Sequence, residues 1–200
     1  MAILDYGVGN LMSVSKGLQV SDAEPKTTAD VEEALTMDAL VLPGVGAYIP
    51  AMRRLAPYIK GLRVAAEGGK IIFGICLGLQ LFFSESNEGG SVRGLGLVEG
   101  RVTRLPENVK IPQMGWNTIK IVEKSHPLLE GIKDDAYFYF VHSYYGTPSD
   151  PASTLALTDY GVNFPSIIAK GNVLGTQFHP EKSGAAGLRM LRNLVGLIRS

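Results

Sequence analysis

A single cysteine, Cys76, in 200 residues leaves no internal disulfide to form, and histidines at 126, 142 and 179 show no metal-ligand spacing. A reducing, cytoplasmic setting and a chain without metal or organic cofactor are expected. Charge of one sign is missing as well: 19 basic residues meet 19 acidic ones. Without a polybasic field, nothing gathers phosphate backbones or anionic lipid, so nucleic acid and membrane are excluded as expected partners. No apolar run reaches spanning length, and Met1 to Tyr6 reads as a strand entering a Gly-containing turn, not as an export leader.

Apolar residues make up 46% of the chain. A chain of this length buries roughly 70% of its unfolded surface, enough for one core, so residues 1–200 are expected to form one domain. The 24 glycines punctuate short apolar runs and mark turns. Strand-like and helix-like segments alternate in the first half: Ala2 to Leu4, a helix from about Asn10, Asp38 to Leu42, a helix ending near Gly68, Lys70 to Ile75, and a helix from Leu77. This is the rhythm of parallel strands joined by helical crossovers. The runs Ala39 to Leu42 and Ile71 to Phe73 are apolar throughout, as in strands covered on both faces. From Leu97 to Gly175 the pattern turns β-rich, with strands expected at Thr118 to Val122, Tyr137 to His142, Ser166 to Lys170 and Val173 to Phe178. A closing amphipathic helix, Gly184 to Ile198, is expected to start at Ser183 and Gly184 and to pack onto the sheet through Leu188, Leu191, Leu194, Val195 and Ile198.

Cys76 stands where an apolar strand ends and a helix begins, with Gly74 two residues before and Gly78 two after. Such spacing makes a nucleophile elbow: a sharp turn presents the sulfur, and glycines are needed because strand and helix nearly touch. A helix N-terminus favours thiolate over thiol and leaves the Leu77 N–H free for a developing oxyanion. A lone cysteine is more often a small buried hydrophobe. The paired glycines argue against that here, since a core cysteine has no need of them.

A thiol nucleophile needs a histidine to move its proton and a third group to fix the ring. His179 and Glu181 lie two apart at a strand end, where side chains i and i+2 share a side, and Pro180 stiffens the spacing. His126 precedes Pro127 in a polar stretch and reads as an exposed turn residue. His142 follows an aromatic strand and is a packed core residue, a substrate contact or a second-ranked base.

The run Gly74 to Gln80 together with His179-Pro180-Glu181 resembles the class I, or triad, glutamine amidotransferases. The resemblance implies an α/β fold, a three-layer sandwich with a mostly parallel central sheet of flavodoxin-like type and a β-rich second half. It also implies that Cys76, His179 and Glu181 hydrolyse glutamine to glutamate and ammonia through a glutamyl thioester. By the same resemblance, backbone N–H groups at Val45 and Gly46, in Pro43 to Gly46, join Leu77 as oxyanion donors. Gln80, His142, Ser143 and Tyr144 hold the substrate glutamine. Taken alone, Pro43 to Gly46 is an ordinary turn and Gln80 an ordinary helix residue.

Three further segments, Asp5 to Asn10, Pro112 to Asn117 and Tyr139 to Tyr144, are similar to the glutaminase subunits of imidazole glycerol phosphate synthases, a branch of that family. Asn10 and Ser13 also suit a helix cap. Met114, Trp116 and Asn117 sit in a loop-like composition, and exposed Met and Trp suit a partner surface. The resemblance puts Asn10, Tyr137, Tyr139 and Lys182 at the same interface and along an ammonia passage. Ammonia released into water becomes mostly ammonium, so an acceptor site must lie nearby, and no residues remain here to build one. A separate synthase subunit with a (β/α)8 barrel, forming a heterodimer, is implied. Alternatives are the same glutaminase serving anthranilate, aminodeoxychorismate, purine or pyridoxal phosphate synthesis, or a non-catalytic regulatory subunit.

Overall fold

The computed structural model describes residues 1–200. The first part of the chain runs β1 (Ala2–Leu4), α1 (Leu11–Val20), β2 (Lys26–Thr28), α2 (Val31–Thr36), β3 (Ala39–Leu42), α3 (Tyr48–Leu55), α4 (Ile59–Glu67), β4 (Ile71–Ile75) and a one-turn α5 (Leu77–Gln80). Strands then dominate: β5 (Phe83–Ser86), β6 (Val92–Arg93), β7 (Val98–Arg104), β8 (Gln113–Thr118), β9 (Lys120–Ile121), β10 (Tyr137–His142), β11 (Tyr144–Pro148), β12 (Thr154–Asp159), β13 (Asn163–Lys170) and β14 (Val173–Thr176). Helix α6 (Gly184–Arg199) closes the chain.

The main sheet has the order β2-β1-β3-β4-β14-β13-β12-β9. Its first five strands run parallel and the rest antiparallel. Side chains alternate across each strand, so the continuous apolar runs serve two cores at once. Leu4, Leu40, Leu42 and Ile72 pack with α2, α3 and α4 through Ala34, Ala51, Leu55 and Leu62. Ile3, Val41, Phe73 and Ile75 face the other way, onto Val14 and Leu18 of α1 and Met190, Leu191 and Leu194 of α6. Helix, sheet and helix thus form three layers, and each fully buried Leu or Ile contributes about 1.5–3 kcal/mol. No helix is long and apolar enough to cross a membrane.

Two smaller sheets, β11-β7-β5-β6 and β10-β8, stand beside the main one. Here the structure departs from the sequence pattern. Met114 to Asn117, loop-like in composition, belongs to β8 and pairs antiparallel with β10, Met114 opposite Val141 and Trp116 opposite Tyr139. Pairing with an aromatic strand overrides the weak local propensity of Gly115 and Asn117. Thr118 to Val122 is divided between the end of β8 and the short β9. At the start of α6, Ser183 makes no cap: its hydroxyl donates to the His179 carbonyl (2.6 Å) and accepts from Tyr139 N–H (3.0 Å). Asn10, in contrast, caps α1 by accepting from Ser13 N–H at 3.2 Å.

The ends of β3 and β4 meet α5 at a distance only glycine allows. A Cβ on Gly74 would lie 2.6 Å from the Leu79 nitrogen, and one on Gly78 would lie 1.9 Å from the Leu42 carbonyl oxygen. Both obstacles are backbone and have nowhere to go. Gly78→Ala is therefore expected to lower stability by about 3 kcal/mol or more, at the upper end for overpacking, which is a fall in Tm of roughly 6–12 °C for a chain of this size. A melting curve within 2 °C of the parent would show that α5 can shift aside.

Candidate active site

Cys76 adopts φ 55°, ψ −108°, in the left-handed region that residues with a Cβ avoid. Its N–H donates to the Thr176 carbonyl on β14 at 2.7 Å, which ties the strained residue to the sheet. The side chain is 5% exposed and opens on a cavity of about 280 Å³. Val45, Gly46, Leu77, Gln80, His142, Ser143 and Tyr144, all expected at the site, line this cavity together with Glu88, Pro112 and Val141. Leu77 takes the first position of α5, where a helix N–H has no intrahelical acceptor. Helix α5 is a single turn, so the dipole expected of a longer helix reduces to those first N–H groups. Two contacts hold the sulfur: Gln177 Nε2 donates to it at 3.7 Å, and the Val141 carbonyl lies 3.6 Å away.

The His179–Glu181 pair forms by a route other than strand alternation. Strand β14 stops at Thr176, His179 stays extended, and a 3-10 turn at Pro180–Lys182 folds Glu181 back beneath it. His179 Nδ1 and Glu181 Oε1 are 2.9 Å apart, with side chains 3% and 1% exposed. Helices α1 and α6 clamp the turn. A Cβ on Gly187 would lie 1.9 Å from the Pro180 carbonyl oxygen, and one on Gly17 would lie 3.1 Å from the Glu181 Cβ. His179 Nε2 is buried with no partner of normal hydrogen-bond geometry, as is Glu181 Oε2. Burial by itself pulls the imidazole pKa down. The neighbouring Cys76 sulfur and the Glu181 carboxylate overcome it and push His179 up to about 10.

A buried polar chain runs outward from the sulfur. Gln177 Oε1 accepts from Gln80 Nε2 (3.1 Å), which also donates to the Tyr144 carbonyl (2.7 Å). His142 Nδ1 bonds the same carbonyl at 2.9 Å, and its Nε2 meets Gln113 Oε1 at 2.9 Å. With an oxygen beside each ring nitrogen and the ring packed against Phe140 and Phe164, His142 is anchored in the core. Burial, chiefly, lowers its pKa to about 4, so the ring is neutral with a single N–H, a poor candidate for the base, and it lines the cavity beside Ser143. His126 Nδ1 accepts from Leu128 N–H and caps a short turn.

Gln177 and Glu88 carry no signal of their own in the sequence. Gln177 is a fully buried polar residue inside the Gly175 to Glu181 run, and burial is the sign that marks it out. Glu88 reaches the cavity wall from the loop after β5, its carboxyl pushed up by burial and opposed by a bond from the Tyr48 backbone. On the outer side, Trp116 meets Tyr139 edge-on at 6.1 Å, and Lys182 Nζ lies 6.0 Å from the Tyr139 ring centroid. Met12, Met114, Trp116 and Tyr137 are exposed. Asn117 is otherwise occupied, its Nδ2 donating to Asp159 O and its Oδ1 accepting from Thr118 N–H.

Residues 3–196 match the family glutamine amidotransferase class-I. Curated relatives include the imidazole glycerol phosphate synthase subunit HisH of Methanosarcina mazei, 50% identical over 98% of this chain and 97% of its own length. The subunit of the same name from Methanothermobacter thermautotrophicus is 50% identical, with both chains fully covered. Among solved structures, PurLQS from Thermotoga maritima superposes with a TM-score of 0.76 at 20% identity, covering 98% of this chain and 97% of that one. Fold, cavity and relatives agree: the chain belongs to the class I glutamine amidotransferases, in the HisH branch of that family.

Proposed function

We propose that residues 1–200 form a single amidotransferase domain, the glutaminase subunit of an imidazole glycerol phosphate synthase, with Cys76, His179 and Glu181 as its catalytic triad. The observation that carries the triad is the buried 2.9 Å contact between His179 Nδ1 and Glu181 Oε1, with the buried Nε2 free of other partners and the ring electrostatically coupled to the Cys76 sulfur that faces the cavity. Glu181 has no other partner, so it holds the proton on Nδ1 and keeps Nε2 for proton transfer. The Cys76 thiolate attacks the side-chain carbonyl carbon of glutamine, forming a C–S bond as the carbonyl π pair moves to oxygen. N–H groups at Leu77, Val45 and Gly46 receive that oxyanion. His179 gives its Nε2 proton to the departing nitrogen, the C–N bond breaks, and ammonia leaves a glutamyl thioester. Water, deprotonated by the same nitrogen, then releases glutamate and the thiolate. The carboxylate of Glu88 suits the substrate α-ammonium group, and Ser143 and Tyr144 suit its α-carboxylate.

Ammonia goes to a separate synthase subunit, a (β/α)8 barrel in a heterodimer, which forms imidazole glycerol phosphate and aminoimidazole carboxamide ribotide. Exposed Met12, Met114, Trp116 and Tyr137 support a docking face there, because Met and aromatic side chains are enriched at interfaces. Tyr139, edge-on to Trp116, and Lys182, over the Tyr139 ring, border the ammonia route. Asn10 joins this face from the cap of α1. A thiol nucleophile suits a reducing cytoplasm.

Four outcomes are expected. Cys76→Ala abolishes glutamate release without weakening complex formation, and Glu181→Gln lowers kcat by up to about 10⁴-fold, the cost of losing the carboxylate that fixes the imidazole tautomer. Native-rate release by Cys76→Ala would remove the nucleophile assignment. The His179 pKa is raised above the unfolded value of about 6.5, so its stabilisation is complete below that pH and disappears as pH climbs through about 10. Chemical denaturation of wild type against His179→Gln across pH 6 to 10 should show the gap narrowing, and a gap that widens would refute the pairing. Val45 to Ala47 are exposed, and Gly46 at φ +107° has nothing packed above it. Glutaminase activity of the isolated subunit should accordingly be weak and rise on adding the synthase; equal rates with and without it would contradict the proposal.

A further inference from the structure

The first β/α loop and the cavity loop are built into each other. Tyr6, just past β1, is buried, and its hydroxyl donates to the carbonyl of Pro43. Pro43 opens the segment that brings Val45 and Gly46 to the cavity wall. On one side this segment sits against the elbow, where a Cβ on Gly44 would lie 2.7 Å from the Gly78 nitrogen and from Leu77 Cβ. On the other it sits against Gly9, whose added Cβ would lie 3.1 Å from Pro43 Cβ. The loop bearing Tyr6 is braced in turn: Gly7 N–H donates to Asp5 Oδ1 at 3.0 Å, and Arg54 on α3 donates to the Gly7 carbonyl. The segment is therefore pinned at Pro43–Gly44, runs exposed through Val45 to Ala47, and is taken up by α3 at the fully buried Tyr48.

Tyr6 does not line the cavity. Burial first, and then the charge of Cys76, raise its phenol well above the ordinary range, so its hydroxyl is a donor at every working pH. Oxyanion donors act only when held within about 2.7–3.1 Å of the developing charge. Of its two ends, Pro43–Gly44 is the one that abuts the elbow at Leu77 and Gly78, so the placement of that end sets where the Val45 and Gly46 N–H groups lie relative to the sulfur.

We propose that Tyr6 is a positioning residue for glutamine hydrolysis: its hydrogen bond to the Pro43 carbonyl anchors the segment whose N–H groups at Val45 and Gly46 receive the oxyanion. This rests on the oxyanion reading given above. Tyr6→Phe removes one oxygen atom and leaves the ring in place. In the complex with the synthase, glutamate release should lose about tenfold or more in kcat with little change in KM, since loss of an oxyanion donor outright costs about 10²–10³. Alkylation of Cys76 by iodoacetamide should proceed at the parent rate, because displacement at that carbon builds no oxyanion. Tyr6→Met, of similar bulk and equally without a hydroxyl, should give the same split. An unchanged kcat, or an alkylation rate that falls in step with kcat, would overturn the proposal, as would loss of the melting transition in both variants. A wild-type complex that releases no glutamate would instead sink the reading on which the proposal rests.

Discussion

The structure depends on a close approach of backbone to backbone at the carboxyl ends of the parallel strands. Gly44 after β3, Gly74 in β4 and Gly78 in α5 form a contact with no room for a methyl group, the Leu42 carbonyl lying where a Cβ on Gly78 would stand. This contact brings α5 flush against the sheet and forces the chain through a turn too tight for ordinary dihedrals. Cys76 absorbs the turn at φ 55°, a strain of about 1–3 kcal/mol that the surrounding sheet must offset. Were strand and helix a few ångströms further apart, the turn would relax and the sulfur would no longer be aimed into the cavity.

The second half of the site arrives through register. Strand β14 pairs in parallel with β4, Gly175 opposite Gly74 and Thr176 opposite Ile75. Residues about one hundred apart in sequence are thus set side by side, and the chain leaving β14 must pass the elbow. Gln177 reaches the sulfur one residue after the strand ends, and His179 follows. Gly175 itself leaves no space for a side chain, since a Cβ there would lie 2.7 Å from Leu79 Cδ1. The buried carboxylate of Glu181 would be costly alone, and its tolerance comes from the imidazole beside it.

Glycine spacing around Cys76, continuous apolar strands and the His-Pro-Glu run were legible because each reflects a local requirement: a tight turn, burial on both faces, a fixed short spacing. The three-layer core follows from the same signals. What stayed illegible depends on partners distant in sequence. Strand β8 is a strand only because β10 lies along it; Gly115 and Asn117 say otherwise locally. Ser183 looks like a helix cap but spends its hydroxyl on His179 and Tyr139. Glu181 reaches its histidine through a 3-10 turn, not through strand alternation, so the contact forms by a geometry other than the expected one. Gln177 and Glu88 have no motif of their own, and Tyr6 sits in the Asp5 to Asn10 run with no role readable there; burial marks out Gln177 and Tyr6, and a place on the cavity wall marks out Glu88.

Strand β10 joins the outer face to the chemistry without an intermediary. Its first residues, Tyr137 and Tyr139, stand beside the exposed Trp116, while Val141 and His142 at its other end form the cavity wall. Midway, the Tyr139 carbonyl accepts from His179 N–H at 2.9 Å, and Tyr139 N–H donates to Ser183, whose hydroxyl holds the His179 carbonyl. The Val141 carbonyl lies 3.6 Å from the Cys76 sulfur. One extended segment is therefore hydrogen-bonded to the imidazole residue, in contact with the thiol, and open to solvent through its aromatic side chains. The outer Trp116–Tyr139 face and the groups bonded to Cys76 and His179 thus share one strand. No chain of remote side chains is needed to link the two.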